Sequence, residues 1–119
     1  MLKTLIPRVL VETVHGVIIA RFADSDLISE EVIEETKDQL LALVDGLSSS
    51  DVLLNFAEVR FMSSTMLAVL LKFSREVARV GGRMKLCSIA PHLMEIFVIT
   101  RFNRLFDIHE EEASALDSF

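Results

Sequence analysis

Three consecutive hydroxyl residues, Ser63, Ser64 and Thr65, sit inside the stretch RFMSSTMLAVLLKF (60–73), between an apolar strand-like run and a helical pattern. Hydroxyls at such a junction support two kinds of chemistry. The first is structural: Ser and Thr cap helix N-termini by accepting from unpartnered first-turn N–H groups, and losing a cap typically costs about 1 kcal/mol. The second is covalent modification, because a phosphate at a helix N-terminus gains from the same donors and from the helix dipole. A phosphate adds about −1.5 to −2 charge, which weakens a flat protein–protein contact through desolvation and repulsion of acid. A coupling of about 1–3 kcal/mol shifts affinity roughly 5–150-fold, enough for a switch. Both roles can coexist at one junction, since Ser63 could cap while Ser64 points outward. No capping box forms, because Met66 stands where a Glu or Gln would follow Ser63. Arg60 is close enough in sequence to screen a phosphate.

Other chemistry is hard to find. The chain has no G-x-x-x-x-G-K-S/T or G-x-G-x-x-G loop to cradle a phosphate, and no G-x-S-x-G nucleophile elbow. His15, His92 and His109 lie far apart and none has a helix-spaced metal partner, so each reads as a surface or turn residue. Cys87 is the only cysteine, which excludes a disulfide framework or cysteine metal cluster and suits a small buried filler. The residues therefore point to no catalytic group, cofactor or metal. A net charge of −6 argues against nucleic acid, and the absence of Tyr and Trp removes a stacking platform. Much of the acid lies in SEEVIEETKD (29–38) and HEEE (109–112), which read as solvated helix faces or termini.

The elements that must position the hydroxyls follow from periodicity and punctuation. A chain of 119 residues with 51% hydrophobic composition suits one domain over 1–119. The charge-free run from Phe61 to Leu71 is too short for a membrane span, and MLKTLIPRVLVE carries no leader pattern, so a cytoplasmic protein without membrane insertion is expected. RVLVETV (8–14) and VIIARF (17–22) read as strands around a His15-Gly16 turn. ADSD (23–26) reads as a turn, with Asp24 a candidate rim contact for a partner. A helix starting near Ser29 places Ile33, Thr36, Leu40, Leu43, Val44 and Leu47 on one face and ends at Gly46. VLLNF (52–56) reads as a strand covered on both faces. A second helix buries Met66, Val69, Leu70, Phe73 and Val77 and stops at Gly81-Gly82. Then come a strand in RMKLCSI (83–89), a helix over 91–100 that Pro91 opens, a strand over 104–108 and a helix over 110–119. Alternation of strands and helices after the opening hairpin predicts an α/β fold with a mixed, largely parallel sheet of about four to five strands. Sites in such sheets lie where strand passes to helix, and the FMSST junction is such a place.

The stretch VLLNFAEVRFMSSTMLAVLLKFSREVARVGGRMKLCSI resembles the STAS domain of bacterial anti-sigma-factor antagonists. In that family a hydrophobic strand leads through a short connection to an aspartate, a serine, a second hydroxyl, a glycine, a leucine and a small residue. Phe61-Met62 match the connection, Ser63 stands at the aspartate position, Ser64 at the serine and Thr65 at the second hydroxyl. Met66 replaces the glycine, Leu67 matches and Ala68 holds the small position. Gly81-Gly82-Arg83-Met84-Lys85-Leu86 follow as the family's next strand, and PHLMEIFVITRFNRLFDI (91–108) resembles its next segment.

The resemblance implies a STAS fold with helices packed on the sheet and a regulatory binding module without catalysis of its own. It implies that Ser64 accepts phosphate, ahead of Ser63 and Thr65. The unmodified form would bind a serine kinase that is also an anti-sigma factor, and a cognate phosphatase would restore that form. Asp24, Met62, Ser63, Thr65 and Met66 are the candidate partner-binding residues, the two methionines being either an adaptable apolar contact or, for Met62 first, core packing. Two other readings are a non-phosphorylated STAS subunit of a transporter or signalling scaffold, and a small-ligand sensor. Self-association as a homodimer is left open.

Overall fold

The computed structural model describes residues 6–45 and 51–119. The chain runs β1 (Val9–Val14), β2 (Val17–Phe22), β3 (Asp26–Leu27), α1 (Glu30–Val44), β4 (Asp51–Asn55), β5 (Phe61–Met62) and α2 (Ser64–Arg79). It continues through β6 (Met84–Cys87), α3 (Pro91–Ile99), a 3-10 turn (Phe102–Arg104), β7 (Asp107–His109) and α4 (Glu112–Asp117). Five strands form one sheet in the order β1-β2-β4-β6-β7, with β1 antiparallel to β2 and every other pairing parallel. This is the predicted α/β architecture.

Alternation along the strands separates two layers. Ala20, Phe22, Val52, Leu54 and Leu86 face α1, α2 and α3 and build the main core with Ile33, Leu40, Phe73 and Phe97. The opposite face of the same strands carries Val17, Ile19, Leu53 and Cys87, covered by Ala115 of α4. VLLNF reads as a nearly continuous apolar run because both of its faces are covered.

Local signals set the ends of the elements. His15 and Gly16 both take positive φ (50° and 80°), as a tight two-residue hairpin turn requires. Ser29 caps α1, its Oγ accepting from Val32 N at 3.2 Å. Gly81, at φ 81°, closes α2: Gly82 N donates to Val77 O at 2.9 Å and Gly81 N to Ala78 O at 3.0 Å, a Schellman motif. The expected terminator Gly46 and face residue Leu47 lie outside the described residues.

Two expectations change. ADSD is more than a turn, because Asp26–Leu27 form β3, which pairs in parallel with β5. The last strand falls at 107–109 rather than 104–108, since residues 102–104 wind into a 3-10 turn. Phe106 supplies the apolar anchor just before that strand, edge-to-face with Phe97 and Phe102.

Candidate functional site

The small β3–β5 pair carries the site. Asp26 stands opposite Phe61 and Leu27 opposite Met62. Ser25 O accepts from Arg60 N at 2.8 Å and Phe61 N at 3.1 Å, and Leu27 O accepts from Ser63 N at 3.1 Å. Leu27 and Met62 point into the core while Asp26 and Phe61 point out. The chain therefore enters α2 along a fixed rail, which sets the direction of each hydroxyl.

Ser63 is the N-cap residue of α2, in extended conformation (φ −87°, ψ 164°), and its Oγ accepts from Met66 N at 3.4 Å. Its carbonyl oxygen accepts from Met66 N at 3.1 Å as well. Ser64 is the first helical residue and is exposed, as is Thr65. Among the described residues the Ser64 hydroxyl has no hydrogen-bond partner, and the amides of Ser64 and Thr65 open the helix, where no intrahelical carbonyl reaches them. With the cap already supplied by Ser63, the Ser64 oxygen faces solvent beside free N–H donors and the positive end of a 16-residue helix. His92, at the start of α3, is engaged elsewhere: its Nε2 is held by Arg60 O and its ring lies 6.2 Å from that of Phe61.

The other candidates separate. Met66 is fully buried and Met62 nearly so, both within the main core. Their expected role as an apolar contact for a partner is corrected: the inward turn of the helix carries Met66 under the sheet, and alternation along β5 does the same for Met62. The exposed apolar groups at this end are Phe61 and Ile28, on the neighbouring outward positions. Asp24 lies on the loop before β3, and its carboxylate pairs with Arg8 Nη1 at 2.9 Å. Arg8 also binds Glu35 of α1 at 2.8 Å, so Asp24 ties the hairpin to the first helix. The exposed acid beside Phe61 is Asp26, which the sequence left inside a turn; a two-residue strand leaves no periodicity to read.

On the opposite face, a buried lysine holds α4. Lys85 Nζ pairs with Asp107 at 2.9 Å and donates to Ser118 Oγ at 2.8 Å and Ser118 O at 3.0 Å. Arg21 and Asn55 both reach Glu112 Oε1, at 2.7 and 3.0 Å. Cys87 lies between these groups, and burial pushes its thiol above the usual range, so it is an unreactive filler.

A five-stranded mixed sheet, helices α1–α3 on one face, α4 on the other and a solvent-facing serine opening α2 define the α/β fold. The STAS domain matches residues 8–115, and the chain belongs to that family. BtrV of Bordetella bronchiseptica, provisionally named an anti-sigma factor antagonist, is 29% identical over 86 residues, spanning 72% of this chain and 73% of that protein. The anti-sigma-factor antagonist (STAS) domain protein from Planctomyces limnophilus superposes with a TM-score of 0.82 at 20% identity, over 92% of this chain and 96% of that one. The phosphorylated form of the Bacillus cell fate determinant SpoIIAA gives 0.66 at 18% identity, over 92% and 97%. These structural likenesses establish the fold. Among the described residues no helix is long and apolar enough to cross a membrane.

Proposed function

We propose that this protein is a phosphorylation-switched anti-sigma-factor antagonist, without catalysis of its own, whose acceptor is Ser64. The single observation that carries the reading is the division of labour at the start of α2. Ser63 supplies the cap, so the exposed Ser64 hydroxyl has no structural task. In the unmodified state the surface around Ser64, including Thr65 and the outward rail of β3–β5, binds a serine kinase that is also an anti-sigma factor. Transfer of a phosphoryl group adds roughly two negative charges at the end of the β3–β5 pair, where the exposed Asp26 stands opposite Phe61. A partner seated on this surface then meets added charge and desolvation cost, and the complex loosens while the fold accepts the phosphate at the helix N-terminus. A cognate phosphatase returns the protein to its binding form. Ser63, in place of the family's aspartate, keeps the capping oxygen but removes a fixed charge, so kinase recognition here leans on Asp26 and Arg60.

Incubation of the protein with a cognate serine kinase and ATP, followed by intact-mass measurement, tests the reading. One added phosphate on the wild type, lost in Ser64→Ala and retained in Thr65→Ala, is expected. An unmodified wild type, or an unchanged yield from Ser64→Ala, overturns the assignment. Co-purification with a transporter or scaffold in place of a kinase would move the chain to the non-phosphorylated class of STAS subunits.

A further inference from the structure

An apolar stripe runs from β5 along α3, and its two ends carry opposite charge. The ring of Phe61 lies 6.2 Å from that of His92 in the first turn of α3. His92, Glu95 and Ile99 recur at helical spacing on one outward face, with Val98 beside them. Pro91, Met94, Glu95, Val98 and Ile99 line a shallow groove along this helix. Ile99 is 80% exposed, and Phe61, Ile28, Val98 and Leu105 are each more than half exposed. A soluble surface seldom groups large apolar side chains in this way without a partner.

The charges divide by majority, with the exposed Arg60 among the acids of the Phe61 end and Glu95 midway along the stripe. At the Phe61 end, Asp26 stands opposite Phe61 in the β3–β5 register, and Glu30 and Glu31 open α1 just beyond Ile28. At the Ile99 end, Arg101 and Arg104 flank Leu105, with no acid between Glu95 and Asp107. Among the described residues none of Asp26, Glu30, Glu31, Arg101 and Arg104 is in an ion pair. The two ends are separated by the length of α3, about 13 Å for nine residues at 1.5 Å each.

We infer that this stripe is the self-complementary contact of a two-fold homodimer. A surface that is acidic at one end, apolar in the middle and basic at the other matches its own copy when that copy is turned end for end. Each two-fold contact then sets Arg101 and Arg104 of one copy against Asp26, Glu30 and Glu31 of the other, twice per dimer. Phe61 and Ile99 meet across the axis, and His92 of one copy faces the Glu95 side of the other. The protein's net charge of −6 disfavours an anionic membrane as the occupant, since the acidic end would be repelled. The inference stands whether or not Ser64 is phosphorylated.

Sedimentation equilibrium on the purified chain tests it. The wild type is expected to reach a dimer and no higher species as concentration rises. Ile99→Asp, Arg104→Glu and Asp26→Arg, all at exposed positions, should each weaken the dimer at least ten-fold while circular dichroism stays unchanged. An equimolar mixture of Arg104→Glu and Asp26→Arg chains should dimerise again, because both contacts are then of opposite charge. A wild type that stays monomeric, a series that grows beyond the dimer, variants that dimerise as the wild type does, or a mixture that fails to recover each overturns the inference.

Discussion

At the N-terminus of α2 two adjacent serines meet different surroundings, and the difference is one of backbone direction. Ser63 is extended, so its oxygen turns back over the first turn toward Met66 N. Ser64 is already helical, so its side chain leaves the helix into solvent. Removing the first hydroxyl strips an orphan N–H of its side-chain acceptor; removing the second strips nothing. Ser63→Ala should therefore lower stability by about 1 kcal/mol. Ser64→Ala should stay within about 0.5 kcal/mol of the wild type. Urea unfolding of both variants measures this, and equal losses would show that capping is shared. The sequence singled out the three hydroxyls, and only the family resemblance divided the first two between cap and acceptor; neither could aim Met62 and Met66. A methionine beside a site is equally at home in a core or on a contact, and only burial separates the two.

Among the elements, β1 poses the sharpest problem, because it is an edge of the sheet and, among the described residues, its outer backbone groups have no strand to pair with. Gln39 of α1 takes over part of that role. Its Oε1 accepts from Arg8 N at 2.7 Å and Val9 N at 3.1 Å, while Nε2 donates to Ile6 O at 2.7 Å. One amide side chain thus clamps the main chain over residues 6–9 as a neighbouring strand would. Gln39→Ala should cost about 1–2 kcal/mol, since three hydrogen bonds go and water repairs only part of the loss. Amide exchange at Arg8 and Val9 should quicken by more than exchange in β4; uniform acceleration across the sheet would contradict a local clamp. Nothing in the helical period of α1 marks Gln39 for this task. Its contact is a tertiary one, 30 residues distant from Val9.

For the molecule as a whole, two carboxylates tie distant segments together and set its acid limit. Arg83 holds the Asp51 carboxyl below its ordinary value of 3.8, chiefly through a side-chain hydrogen bond that joins β4 to the start of β6. Lys85 does the same for Asp107, joining β6 to β7 beneath α4. A carboxyl that is depressed in the folded state binds fewer protons there than in the unfolded chain. Its contribution is complete above the unfolded value and drains away as pH falls through the folded one. The melting temperature should thus hold steady at neutral pH and drop as pH falls below about 4. The double variant Asp51→Asn/Asp107→Asn should flatten that drop, and an acid limb of unchanged steepness would place the cause in other groups. Both pairs are partly exposed, so added salt should shrink the effect.

Hydrophobic period and punctuation by themselves determined the order of the main elements, the mixed sheet, the inward face of α2 and the place where strand passes to helix. Those features depend on near neighbours along the chain, which sequence spacing records directly. The tertiary structure alone decided the rest. It turned ADSD into a paired strand, buried Met62 and Met66, gave Asp24 to Arg8 and placed Asp26, Ile28 and Phe61 around Ser64. It also set α4 over Lys85 and gathered an acidic and a basic end onto one apolar stripe. Each of these joins residues that are far apart in the chain. Which side chain reaches which partner is fixed by packing density and the desolvation of charge, and neither quantity has a period that a sequence can display.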